Sequence, residues 1–342
     1  MSPTRKPFQS IVVPVDGSPI AEQAIPVALE IARRADSSLR LVLVHRQLSP
    51  LLIMDPPEVY VRTLLAFEKF ESDYLQALTD RVETELGRTI SSAALKGPVN
   101  PTLSEYIADI GADLVVMTTH GRGGIRRAWL GSVTDHLIRT SKVPVLCVRA
   151  REGAVSLDSI RAPEILVPLD GSALAEAVLE PVAALARLWK AKVLLVQVVF
   201  PVLLTAEPAL PVPTDYDEEL TAVQRNAAKD YLQDLAKRLQ RRGVQASSAA
   251  VLGHGAAETI LGMASSKQVG LVALATHGRG GLRRLVLGSV ADKLIRAAEV
   301  PVLVVRPVAP RRSSQKRKEE AQINQASLTQ HEDRGAEALA AG

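Results

Sequence analysis

The sequence predicts an α/β protein made of two tandem, doubly wound domains, each a five-stranded parallel sheet with helices on both faces. Three observations predict it. A long pattern occurs twice along the 342 residues. Short apolar runs alternate with longer amphipathic stretches, the signature of βαβ units. The apolar runs lack polar alternation, as strands buried on both faces do. At roughly 100–200 residues per domain, the length itself argues for two.

The repeat is read directly. Ile11-Val-Val-Pro-Val-Asp-Gly-Ser18 returns as Ile165-Leu-Val-Pro-Leu-Asp-Gly-Ser172. Thr119-His-Gly-Arg-Gly-Gly-Ile-Arg-Arg-Ala-Trp-Leu-Gly-Ser-Val133 returns as Thr276-His-Gly-Arg-Gly-Gly-Leu-Arg-Arg-Leu-Val-Leu-Gly-Ser-Val290. Lys142-Val-Pro-Val-Leu-Cys-Val-Arg149 returns as Glu299-Val-Pro-Val-Leu-Val-Val-Arg306. The period far exceeds a solenoid unit, so a domain has been duplicated. Residues 1–149 form the first domain, 150–162 a linker, 163–308 the second domain and 309–342 a polar tail.

Strands are expected in the first half at Ile11–Val15, Leu39–Val44, Thr89–Leu95, Leu114–Thr118 and Val145–Val148. Helices are expected at about Ile20–Arg34, Val59–Leu86, Pro101–Ile110 and Ser132–Arg139. The second half repeats the strands at Glu164–Leu169, Lys192–Val199, Gln245–Val251, Leu271–Ala275 and Val302–Val305. Exposed last strands want partners. Val143–Val148 and Val300–Val305 therefore pair the two halves as an intramolecular pseudo-dimer, and a homodimer is the other use of such an edge.

Composition narrows the function. Apolar residues are 47% and charged residues 23%, ordinary for a globular protein. Aromatics are 3%, so the core is aliphatic and stacking platforms for single-stranded nucleic acid are disfavoured. The net charge of +4 is concentrated in a tail cluster of Arg311, Arg312, Lys316, Arg317 and Lys318. A solvated tail explains that cluster, with nucleic acid or a membrane surface as the other reading. The longest apolar stretch, Val193 to Leu204, is broken by Gln197 and Pro201 and is too short to span a bilayer. Cys147 is the single cysteine, which excludes a disulfide framework and a Cys/His zinc cluster and fits a reducing, cytoplasmic setting. The first ten residues carry no apolar core of a signal peptide.

The candidate site lies where such sheets bind ligands, at the carboxyl ends of the strands. Asp16 and Asp170 end the first strand of each half, preceded by Pro14 and Pro168. An aspartate there serves a ribose, supports the loop or caps the next helix, and the sequence leaves these three open. After the fourth strand comes a glycine segment: His120, Gly121, Arg122, Gly123 and Gly124, repeated as His277, Gly278, Arg279, Gly280 and Gly281. Glycines there admit positive φ and let backbone N–H groups approach a ligand. A short link leads to Gly131, Ser132 and Val133, and to Gly288, Ser289 and Val290, each the start of a helix with Ser132 read as N-cap. An anion at that start meets free N–H groups and the positive end of the helix dipole. Arg122, Arg126 and Arg127, with Arg279, Arg283 and Arg284, pair with phosphates or form a solvated face. His120 and His277 brace the loop. His45, set against Gln197 in the second half, is not a shared requirement.

With these motifs in hand, the chain resembles the universal stress protein family in its tandem form, over roughly residues 8–149 and 163–307. The resemblance implies a Rossmann-like, adenine nucleotide alpha hydrolase-like fold. It also implies a Gly-x2-Gly-x9-Gly-Ser/Thr signature after the fourth strand. Gly121, Gly131 and Ser132 match it, as do Gly278, Gly288 and Ser289. Thr118 and Ala275 stand where the first glycine would be. The family's adenine-contacting residue maps to Arg46 and Val198. Val198 suits an apolar adenine wall, whereas Arg46 would stack its guanidinium on the base. The resemblance implies ATP with Mg or Mn, slow hydrolysis at most, no protein-held metal and a stress-linked regulatory role. A nucleotide-free scaffold and an adenylyl-transfer or ATP-hydrolysing enzyme are the competing readings. Against the enzyme, the sequence lacks a Gly-x4-Gly-Lys-Ser/Thr loop and any acid/base constellation shared by both halves.

Overall fold

The computed structural model describes residues 7–45, 57–119, 130–150, 164–203, 216–266, 268–276 and 287–307. The tail cluster, almost all of the linker and the glycine loops from 120 to 129 and from 277 to 286 lie outside the described residues.

The first half runs β1 (Ser10–Val15), α1 (Pro19–Glu22), α2 (Ile25–Ala35), β2 (Ser38–Val44), α3 (Pro57–Leu86), β3 (Ser91–Leu95), α4 (Val99–Asp109), β4 (Leu114–Thr118), α5 (Ser132–Thr140) and β5 (Val145–Val148). The second half runs β6 (Glu164–Pro168), a 3-10 turn (Ala175–Val178), α6 (Leu179–Trp189), β7 (Lys192–Val199), β8 (Val202–Leu203), β9 (Tyr216–Asp217), α7 (Glu218–Gln240), β10 (Ala246–Leu252), α8 (Ala256–Ala264), β11 (Val269–Ala275), α9 (Ser289–Ala297) and β12 (Val302–Val305). The strands fall within two residues of their expected bounds. The single helix expected over Ile20–Arg34 is instead two. Pro26 stands at the start of α2, where its missing N–H costs nothing, but in a continuous helix it would break the ladder. Pro181 stands third in α6, still within the first turn, after the 3-10 turn. The antiparallel ribbon of β8 and β9 was not expected, since two-residue strands carry no periodicity.

The other ten strands form one sheet in the order β10-β7-β6-β11-β12-β5-β4-β1-β2-β3. In this sheet every pairing within a half is parallel; the halves meet antiparallel, with Val302 opposite Cys147, Leu303 opposite Leu146 and Val304 opposite Val145. The last strands thus close the pseudo-dimer inside one chain. Arginines reinforce the junction from both sides. Arg149 donates to the carbonyl oxygen of Ala298 (2.9 Å), just past the end of α9. Arg306 donates to that of Thr140 (2.9 Å) at the end of α5. Each cation meets the negative end of a helix in the opposite half.

The core is organised by sheet face rather than by domain. One buried cluster joins Ile11, Leu29, Leu43, Val167, Leu185, Leu195 and Leu232; the other joins Val115, Leu137, Ile138, Val272, Leu294 and Ile295. Both clusters draw on both halves, because the sheet is continuous. The two halves therefore share two cores, and residues 1–307 form one compact unit.

Candidate functional site

The strand order reverses between β1 and β4 and again between β6 and β11, where neighbouring strands send their crossovers to opposite sides. Asp16 follows β1 and Thr118 ends β4; Asp170 follows β6 and Ala275 ends β11. Residues far apart in sequence thus meet at one strand edge per half.

The aspartates have the loop-supporting role. Asp16 Oδ1 accepts hydrogen bonds from Ser18 N–H (3.0 Å) and Ser18 Oγ (2.6 Å). Ser18 Oγ in turn accepts from Ala21 N–H (3.2 Å) and so caps α1. Asp170, Ser172 and Ala175 reproduce the three contacts at 3.0, 2.6 and 3.2 Å. Serine, not aspartate, is the cap. Gly17 and Gly171, at φ 81° and 82°, supply the left-handed turn that brings Asp and Ser together.

The exit of the fourth strand is pinned two ways. Thr119 N–H donates to Val148 O (3.0 Å) and Gly131 N–H donates to Thr119 O (2.8 Å). Thr276, Val305 and Gly288 repeat this at 2.9 and 3.0 Å. Each glycine loop therefore leaves and returns at the same point, although His120, Gly121, Arg122, Gly123, Gly124 and their counterparts His277, Gly278, Arg279, Gly280, Gly281 lie outside the described residues. The structure corrects the cap of the next helix: Gly131 and Gly288 are the N-cap residues, and Ser132 and Ser289 are the first helical residues, exposed at its mouth. The cap glycine spends its own N–H on the threonine carbonyl. The following three N–H groups, of Ser132, Val133 and Thr134 or Ser289, Val290 and Ala291, have no intrahelical partner by geometry and form the anion-facing end. The halves differ at one atom here: Thr134 Oγ1 donates to Thr118 O (2.9 Å), while Ala291 has no hydroxyl to offer Ala275.

In the second half these elements open onto a cavity of 1570 Å³ at the carboxyl ends of β6, β7 and β11. It brings together Pro168, Asp170, Val198, Ala275, Gly288, Ser289 and Val290 from the sequence-derived set. Three contributors were missed. Gln197 lines it from β7 and Tyr231 from α7, and Arg139 reaches it from the first half. Arg139 donates to both oxygens of Asp135 at 2.9 Å. The hydrogen bond to Asp135, and the charges of Asp135 and Asp292, hold its guanidinium above the usual arginine range. Arg296 donates to Asp292 in the same way (2.9 Å). The signal for this was present in the sequence as an Asp-x3-Arg motif in both halves.

The strand register also corrects an equivalence. Pro14 lies opposite Val42 and Pro168 opposite Val196. Val198 therefore corresponds to Val44, not to Arg46, and His45 corresponds to Val199, not to Gln197. Sequence spacing after the strand could not fix this, because both runs are apolar and ungapped. Arg46 itself lies outside the described residues. In α3 and α7 the match is fixed by tyrosines: Tyr74 donates to Glu22 (3.0 Å) as Tyr231 donates to Glu176 (3.3 Å). Glu71 then corresponds to Ala228, and Phe70 to Ala227. In the first half His45 Nδ1 and Glu71 Oε2 lie 2.6 Å apart, their side chains 11% and 8% exposed. This hydrogen-bonded pair fills a corner that Val199 and Ala228 leave open in the second half.

Comparison with known proteins identifies this architecture. The profile described as the universal stress protein family matches residues 7–149 and 163–306. Universal stress protein Rv2005c of Mycobacterium tuberculosis is 29% identical over 311 residues, covering 90% of this chain and 99% of that protein. Universal stress protein MJ0531 of Methanocaldococcus jannaschii is 30% identical over 142 residues, covering 42% of this chain and 82% of that protein. The crystal structure of a universal stress protein from Archaeoglobus fulgidus has the same fold, with a TM-score of 0.63 at 16% identity over 87% of this chain and 98% of its own. Two matches of the family profile, in register with the two halves of the sheet, make the chain a tandem member of the universal stress protein family.

Proposed function

We propose that the chain binds ATP in the second-half cavity and acts as a cytoplasmic regulatory protein whose conformation or association follows nucleotide occupancy. The observation that carries this reading is the convergence of the cavity's walls: the Asp170 turn, the helix mouth at Gly288, Ser289 and Val290, and apolar Val198. An apolar wall beside an N–H-rich helix start suits a base at one end and phosphates at the other. Arg139 adds a cation to the cavity wall. A divalent ion, Mg or Mn, would be held through the phosphates: among the described residues no group of three His, Cys, Asp or Glu side chains converges to hold one. Among those residues, too, no helix is long and apolar enough to cross a membrane. Because β5 and β12 cover each other, a homodimer through the last strand is not needed; any association would use another surface.

The test is thermal and chemical unfolding with and without Mg-ATP. Nucleotide at 100 times its dissociation constant should add about 2.7 kcal/mol per independent site. No stabilisation at millimolar ATP would overturn the reading and leave a nucleotide-free scaffold. Rapid multiple-turnover loss of ATP would replace the regulator with an enzyme.

A further inference from the structure

Gln197 stands near the carboxyl end of β7 and lines the cavity. Its Oε1 is buried with no hydrogen-bond partner. A buried acceptor left without a hydrogen bond carries an uncompensated desolvation penalty. The fold does not require that cost. The register that sets Val196 on Val42 sets Gln197 on Leu43, which is 1% exposed and sits in the core. Side chains alternate along a strand, so Gln197 continues the series of Val193 and Leu195, which pack with Leu232 and Leu235 of α7. On that same side the second half has Ala228 and Val199 lining the cavity, where the first half has Glu71 and His45. Two reductions in side-chain size and one apolar-to-amide replacement thus coincide at one corner of one half. Small residues make the room, and Gln197 puts an amide into the wall around it.

We propose that Gln197 determines ligand specificity in the second half. Its amide pairs with a planar heterocycle that presents a donor and an acceptor side by side, as the amine-bearing edge of an aminopurine does. A terminal amide matches that edge with two parallel hydrogen bonds, its Oε1 accepting from the exocyclic amine and its Nε2 donating to the neighbouring ring nitrogen. This rests on the nucleotide reading above. It adds which half reads the base and with which side chain. The first half, with Leu43 and the His45–Glu71 pair in that corner, has no equivalent reader.

The test compares ATP with purine riboside 5′-triphosphate, which lacks only the exocyclic amine, on the intact chain by calorimetric titration. The wild type should prefer ATP by roughly tenfold or more, the usual cost of leaving a buried polar group unpaired. Gln197→Leu installs the residue that the first half already accommodates. It should bring the two affinities within about twofold while leaving the ligand-free chain as stable to urea as the wild type, or more stable. An unchanged preference for ATP in Gln197→Leu overturns the inference and leaves nucleotide binding intact. A ligand-free variant clearly less stable than the wild type also overturns it, since the amide would then serve the fold. If the wild type binds neither nucleotide, the functional reading itself fails and this one fails with it.

Discussion

The buried His45–Glu71 pair offers the sharpest quantitative test of how the two halves diverged. The side chains are 11% and 8% exposed, and His45 Nδ1 and Glu71 Oε2 are 2.6 Å apart. Removing one partner of a buried hydrogen bond costs about 1–3 kcal/mol, because the other loses that bond in a poorly solvated site. Glu71→Ala and His45→Val should each destabilise by about that much. The double substitution installs Val and Ala, the residues at the matching places in β7 and α7. It removes both polar groups, so it should cost much less than the two singles together. A double-mutant cycle measured by urea unfolding should return a coupling of about 1–2 kcal/mol, with the slope against urea unchanged so that midpoints compare directly. Costs that add to within about 0.5 kcal/mol would refute the reasoning. The two side chains would then be neighbours in space without being energetically coupled.

Other predictions follow from single contacts. A Cβ at Gly288 would lie 3.3 Å from the carbonyl oxygen of Thr276, in a backbone conformation (φ −61°) that any residue accepts. Gly288→Ala should therefore be a mild overpacking defect of about 1 kcal/mol, and Gly288→Val a larger one that removes ATP-dependent stabilisation. Gly131→Val should leave that stabilisation in place, and equal loss from both would show that the second-half assignment is wrong. Burial pushes the Cys147 thiol up to about 12. Its alkylation at pH 8 should therefore be about a thousandfold slower in the folded chain than in urea, and similar rates would contradict its burial between the halves. Burial first, and then the carboxylates of Glu22 and Glu176, raise Tyr74 and Tyr231 above the usual phenol range. Because the folded values are the raised ones, this contribution to stability is complete below pH about 10 and is lost as pH rises further. Unfolding midpoints should fall above that pH, and Tyr74→Phe with Tyr231→Phe should flatten the fall. An unchanged slope in the double variant would remove these phenols as its cause.

What the sequence determined by itself is what repeats and what is periodic. Eight residues around each first-strand aspartate, fifteen around each glycine segment and the Val-Pro-Val runs at the ends establish a duplicated α/β domain. Apolar runs such as Val193-Leu-Leu-Val196 establish buried parallel strands, because burial on both faces removes polar alternation. The cover that one last strand gives the other was also legible, since an uncapped apolar edge must find a partner. Tertiary structure decided everything that depends on which residues share a corner. Local periodicity cannot register two apolar strands, so only the ladder could set Val198 on Val44 and Gln197 on Leu43. Side-chain geometry within each Asp-Gly-Ser turn gave Asp16 and Asp170 their loop role, and the backbone conformation of Gly131 moved the helix cap there from Ser132. Continuity of the sheet made two cores shared by both halves and carried Arg139 from one half to the cavity of the other. The open corner beneath α7 is likewise tertiary: Ala227, Ala228, Val199 and Gln197 are unremarkable singly in sequence, and become a site only when strand and helix bring them to the same wall.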